Sequence, residues 1–287
     1  MIFTISVIPS IVAYAGRQYD ERMMPLMMAT IALALEPTKA DLTYKVVQGL
    51  ELKLDLYLPE KTGAPLVVWV HGGGWQDGGK ANPPAAEYLV SRGFAYASIR
   101  YRLSGEAKWP AQIEDCEDAL RWLRERSAEF GYDARKVGAW GLSAGGHLVA
   151  MLGTRSKGAG RADVVVDYFG PTDFLRMNDR KGRIDHDAPG SPESKLLGAA
   201  IQTVPELVKT ASPPAFVSKG SAPMLIVHGD KDPLVPIEQS GLLRDALKQA
   251  GVVHEYVVIE GGGHGGAGFF TPEMLTKVAG WFEKLRF

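Results

Sequence analysis

The sequence predicts an α/β fold: a mostly parallel central sheet with helices on both faces and an antiparallel hairpin at its N-terminal edge. Three observations lead there. From about Asp41 onward, apolar runs short enough for strands alternate with longer stretches of helical periodicity, the pattern of parallel strands joined by crossover helices. "LTYKVV" and "LELKLDLYL" alternate with period two around "QG", which reads as a hairpin. The chain has 287 residues, 46% of them apolar, which suffices to bury a large core.

The elements follow in order. "APLVVWVHGGGW" is a continuous apolar run closed by glycines, as a strand buried on both faces would be. "PPAAEYLVSRG" reads as a helix ending at Gly93, and "FAYASIRYRL" as a strand. "WPAQIEDCEDALRWLRERSAEFG" is a long amphipathic helix, with Ile113, Ala119, Leu120 and Leu123 at helical spacing. It carries Cys116, the only cysteine, read as a small buried residue; one thiol excludes an intrachain disulfide or a thiolate metal cluster. "KVGAWGLS" is a strand, "SAGGHLVAMLGTR" a helix and "ADVVVDYFG" a strand. Residues 171–221 are irregular and rich in Pro, Gly and Ser, with one helix at "SPESKLLGAAI". "PMLIVHGD", "PIEQSGLLRDALKQAG", "HEYVVIEGG" and "TPEMLTKVAGWFEKLRF" complete the alternation. No linker separates two cores. The reading is one domain, 41–287, with an insertion at 171–221, preceded by an extension, 1–40.

The extension holds two apolar runs split by "GRQYDER", each short of the ~18 residues a spanning helix needs. It reads as a helix packed on the body, a partial cap, a leader or a signal segment ending near Ala40. A cytoplasmic protein is expected, periplasmic or secreted if the extension acts as a signal. No stable membrane insertion is expected. A net charge of −1, with charges scattered, gives no footprint for nucleic acid.

In such a sheet the loops leaving the C-terminal ends of parallel strands meet at one edge, where ligands bind. "HGGGW", Ser143, "HGDKDPLVP" and "GGGHGG" each follow a strand, so four loops bring polar groups to that edge. A serine hydroxyl is a weak nucleophile without an adjacent base. Ser143, between Gly141 and Gly145 at a strand-to-helix junction, suits a sharp turn that holds its Oγ clear of the backbone. His264, in a flexible glycine loop after the last strand, is the candidate base. His71 is read as bracing the glycine loop, His147 and His228 as parts of a helix and a strand end, and His186 and His254 as loop or surface residues. An acid must orient the imidazole. Asp230 and Asp232 both lie in the right loop, and Asp232 is favoured because Asp230 is close enough to the strand end to organise the turn. Gly73 and Gly74 are candidate N–H donors to a substrate oxygen, alongside Ala144 at the helix N-terminus. A phosphate loop is the competing reading of "HGGGW", but no phosphate-binding glycine pattern follows that strand. Trp75, Tyr168, Phe169, Phe174 and Leu175 are the candidate pocket walls.

"HGGGW", "GLSAGGH", "HGDKDPLVP" and "GGGHG", in this order, resemble the α/β-hydrolase esterases of the hormone-sensitive-lipase-like group, and more closely the bacterial carboxylesterases of feruloyl and acetyl-xylan type and the related arylformamidases. The resemblance runs from about Asp41 to Phe287. It implies an α/β-hydrolase fold, with Ser143 as nucleophile, His264 as base, Asp232 as acid and an oxyanion hole from Gly73, Gly74 and Ala144. It further implies a carboxylesterase acting on small-molecule esters of short acyl or small aromatic acids, with no metal or cofactor, and an occasional homodimer. The alternatives are an arylformamidase and, in a different class, a binding protein of the same fold. The helical N-terminal cap of the hormone-sensitive-lipase-like group is not evident; only residues 1–40 stand before the first strand.

Overall fold

The computed structural model describes residues 35–286. The apolar runs of residues 1–34, with the leader, cap and signal readings that rest on them, lie outside the described residues. Eight strands form one sheet: β1 (Lys39–Val47), β2 (Leu50–Tyr57), β3 (Ala64–Val70), β4 (Ala95–Ile99), β5 (Tyr132–Leu142), β6 (Val164–Tyr168), β7 (Met224–Gly229) and β8 (His254–Ile259). Their order across the sheet is β1-β2-β4-β3-β5-β6-β7-β8. β1 and β2 form the expected antiparallel hairpin, β2 also runs antiparallel to β4, and all other neighbours are parallel.

The helices are α1 (Ala86–Ser91), α2 (Ala111–Glu125), α3 (Ser127–Phe130), α4 (Ala144–Thr154), α5 (Pro192–Leu197), α6 (Pro205–Thr210), α7 (Glu238–Gln249) and α8 (Pro272–Phe282). β3 shows how they are arranged. All seven of its residues are buried. Leu66, Val68 and Val70 pack into a core with α2, α4 and α7, while Val67 and Trp69 pack into a second core with α1 and α8. Strand side chains alternate in direction, so a run that is apolar at every position needs cover on both sides. Cys116 is buried on α2, as expected.

Two elements differ from the sequence reading. The predicted long helix breaks at Arg126, where the backbone leaves helical geometry and α3 restarts as a single turn. The insertion holds two short helices, α5 and α6, rather than one; α6 opens on Pro205, whose fixed φ suits a first helical position. Among the described residues no helix is long and apolar enough to cross a membrane.

The closest packing lies where β5 turns into α4. A Cβ built on Gly145 would sit 2.0 Å from the backbone oxygen of Val70, and one on Gly141 2.4 Å from that of Gly145. These are backbone atoms of β3 and α4 and cannot swing aside. Gly145→Ala should therefore cost about 3 kcal/mol or more, read as a lowered urea midpoint. Gly280, by contrast, is a helical glycine with open space around it. Gly280→Ala should stabilise the chain by roughly 0.5–1 kcal/mol in the same assay.

Candidate active site

Ser143 sits between β5 and α4 with φ 55° and ψ −122°, a backbone conformation that side chains other than glycine rarely adopt. Its neighbours hold it there. The Ser143 N–H donates to Tyr168 O at the end of β6 (2.8 Å), and the Ser143 carbonyl accepts from the His147 N–H (3.0 Å), which starts the helix. The hydroxyl is thereby lifted off the end of the strand. Ala144 is the first helical residue, and its N–H, like every first-turn N–H, has no acceptor within the helix.

The hydroxyl meets His264. Ser143 Oγ lies 2.9 Å from His264 Nε2, and His264 Nδ1 lies 2.7 Å from Asp232 Oδ2. The carboxylate can only accept when ionised, so Nδ1 carries the proton and Nε2 is left to receive one from Oγ. Phe169 packs against the imidazole with ring centroids 4.6 Å apart. Asp232 Oδ1 accepts the N–H groups of Leu234 (2.8 Å) and Val235 (2.9 Å). Burial alone would raise the Asp232 pKa. Hydrogen bonding from His228 and His264, the charge of His264 and the Val235 N–H outweigh it and hold the carboxyl well below the usual range. Asp230 does something else: its Oδ1 accepts the Gly261 N–H (2.7 Å) and ties the turn after β7 to the turn after β8.

The glycine loop lies beside them. Gly73 has φ 102°, and a Cβ there would lie 2.1 Å from Asp77 O; its own carbonyl accepts from Gln76 and Asp77. His71 braces the loop: its ring stacks on Tyr101 (4.3 Å between centroids) and its Nδ1–H donates to Gly72 O (2.8 Å). Burial drives its pKa down to about 4, so the ring is neutral at pH 7.

Gly73, Gly74, Ser143, Ala144 and His264 line a single cavity of about 350 Å³. Trp75 lines it too, as expected. The other four predicted wall residues do not. Tyr168 is buried and donates its hydroxyl to Phe269 O. Phe169 is buried behind the imidazole, Phe174 is buried against Trp75 and His147, and Leu175 packs against the core beside α6. The chain turns inward after β6, so the aromatics there pack under the site rather than around it. The walls come instead from Leu142, from Pro171, Ile184 and Pro192 of the insertion, and from Leu234 and Val235 after Asp232.

Two polar residues that line the cavity were not expected there. His186, read from sequence as a loop or surface residue, is buried. Its Nε2–H donates to Leu234 O (3.1 Å), and its Nδ1 lies 3.0 Å from Oε1 of buried Glu193. Burial works to lower its pKa; hydrogen bonding and charge from Glu193 prevail and raise it. Nothing in the sequence flags this pair, since the two residues stand seven apart across an irregular stretch. His147 is buried, with Nε2–H donating to Ala211 O (2.7 Å), and burial lowers its pKa to about 4. His228 is buried between Ser240 and Val235 O, and His254 is half-buried on β8.

The chain matches the BD-FAE family over residues 54–247 and belongs to it. Esterase LipC of Mycobacterium tuberculosis is 30% identical over 218 residues, covering 70% of this chain and 53% of LipC. The chain spans about half the length of the curated relatives it matches. Among solved structures, a truncated carbohydrate esterase from gut microbiota superposes with a TM-score of 0.78 at 31% identity, covering 86% of this chain and 95% of that one. The butyrate-bound thermophilic esterase of the Planctomycetes species Thermogutta terrifontis gives 0.71 at 28% identity, covering 85% and 93%. The fold is that of the α/β-hydrolases.

Beside Gly146 at the start of α4, fully buried Asp167 on β6 accepts one N–H, from Gly170 (3.0 Å). Burial raises its pKa from 3.8 to about 7 against that bond. Between about pH 4 and pH 7 the unfolded chain has lost this proton while the folded chain keeps it, so the group's contribution to stability falls as pH rises and is flat above. Relative to Asp167→Asn, the wild type should lose more than about 2 kcal/mol between pH 4 and pH 8 in urea unfolding. A relative gain over that range would contradict a raised pKa.

Proposed function

We propose that this member of the BD-FAE family is a serine carboxylesterase that cleaves short-chain acyl or small aromatic esters through an acyl-enzyme. The observation that carries the reading is the chain Ser143 Oγ, His264 and Asp232, with contacts of 2.9 and 2.7 Å, opening into a cavity. Ser143 Oγ attacks the ester carbonyl carbon while its proton passes to His264 Nε2. The developing oxyanion is met by the N–H groups of Gly73, Gly74 and Ala144, each worth ~10²–10³ in rate where it is well aimed. The C–O bond to the alcohol then breaks, and the imidazolium returns the proton to the leaving oxygen. A water molecule, deprotonated by His264, attacks the acyl carbon and releases the acid. Asp232 stays ionised throughout, fixes the tautomer and offsets the imidazolium charge. These steps use only side chains, backbone N–H groups and water.

The cavity's size supports small substrates. About 350 Å³ lies at the lower end of ordinary ligand pockets, and the walls beyond the reacting groups are mainly apolar. The butyrate held by the Thermogutta terrifontis esterase supports the short acyl range.

The test is hydrolysis of p-nitrophenyl acetate, butyrate and decanoate. The wild type should favour the two shorter esters, and Ser143→Ala should abolish turnover. A variant as active as the wild type would remove Ser143 from the reaction. Asp232→Asn should lower kcat by ~10⁴ if the residue sets the tautomer. Asp230→Asn should cost far less, because Asp230 acts on a turn. The opposite ranking would reassign the acid.

A further inference from the structure

The two peptide groups that serve Asp232 are both capped by the insertion. Asp232 Oδ1 accepts from the Leu234 N–H and the Val235 N–H. The Leu234 N–H belongs to the peptide group whose carbonyl is Pro233 O, and that oxygen accepts from the Arg183 N–H (2.8 Å). The Val235 N–H belongs to the peptide group whose carbonyl is Leu234 O, and that oxygen accepts from His186 Nε2–H (3.1 Å). Each N–H aimed at the carboxylate is therefore polarised from the far end of its own peptide by a donor from the insertion. Hydrogen bonds in series strengthen one another where water is excluded. His186 is itself fixed, since Nδ1 rests on buried Glu193 Oε1 at 3.0 Å.

We infer that His186, anchored by Glu193, is a positioning residue for the reaction: through the Leu234–Val235 peptide it sets the geometry and field at Asp232, and through Asp232 the orientation of His264. The inference rests on the carboxylesterase reading given above. His186 makes no hydrogen bond to Ser143 or His264, and its effect reaches them through one peptide group and one carboxylate. The insertion thus shapes the cavity and also tunes the acid. The cavity wall formed by Leu234 and Val235 is the same segment that His186 holds.

The test compares His186→Leu, which removes the donor, with His186→Gln, whose side-chain amide N–H can reach Leu234 O in place of the ring nitrogen. Three quantities are read: kcat and KM for p-nitrophenyl acetate, the thermal midpoint, and the downfield proton resonance of His264 Nδ1–H. His186→Leu should lower kcat about tenfold with KM within about twofold, and should move or broaden the resonance; His186→Gln should recover most of both. Unchanged kcat and an unmoved resonance in a folded His186→Leu protein would overturn the inference. So would equal losses in the two variants, which would make His186 a packing residue. Should His186→Leu not fold, Glu193→Ala decides, because it removes the anchor that holds the His186 ring against Leu234 O. A kcat lowered about threefold with a shifted resonance supports the inference, and wild-type values for both overturn it. A wild type with no esterase activity would sink the carboxylesterase reading alone, since the resonance is read without turnover.

Discussion

Helix α4 starts closer to the sheet than a side chain at Gly145 would allow, and the site follows from that approach. With no Cβ on Gly145, the helix presses against the carbonyl of Val70 at the end of β3. This fixes where the strand must stop and forces the joining residue into a positive φ. Ser143 carries that strain, and the cores on both faces of the sheet hold it in place. The same approach brings the end of β3, and with it the glycine loop, alongside the helix N-terminus. The Ser143 hydroxyl and the N–H groups of the glycine loop and the helix start are thus placed together by one backbone contact before any side-chain contact is made.

Asp232 is positioned by a different means. A carboxylate removed from water stays ionised only if donors replace its hydration. Asp232 receives two peptide N–H groups on one oxygen and the imidazole of His264 on the other, with His228 Nε2 3.3 Å from that second oxygen. The charge is therefore fixed in place as well as sustained, and the imidazole inherits its orientation. Phe169 completes the arrangement by packing against the ring.

How much of this could be read beforehand depended on whether a residue's neighbours were near in sequence. β3 was legible because burial on both faces requires an unbroken apolar run. Ser143 and His264 were legible because each ends a strand-plus-loop unit at the same sheet edge. Asp232 and Asp230 differ by two residues, and the structure places them differently: Asp232 bonds His264, while Asp230 bonds Gly261 across two turns. Tyr168, Phe169 and Phe174 were misplaced because an aromatic residue after a strand looks the same in sequence whether the chain turns outward, as at Trp75, or inward. His186 was missed for a related reason. Its partners, Glu193 and Leu234, lie on a short helix and on a separate loop, and an irregular stretch has no period from which a buried side can be deduced.

The insertion is where these two kinds of information meet. The sheet and its helices can fix Ser143 and the glycine loop from local geometry, since β5 and α4 are joined by Ser143 itself and β3 packs against both. They cannot by themselves close the cavity or cap the carbonyls behind Asp232. Those tasks fall to residues 171–193, which supply Pro171, Ile184, His186 and Pro192 to the cavity and the Arg183 N–H and His186 to the acid loop. A segment with both duties cannot be altered for one without disturbing the other. A change that enlarges the cavity at Ile184 lies between the two capping residues and acts on the donors of Asp232 as well. The shape of the cavity and the donors behind Asp232 are therefore coupled through a single stretch of chain.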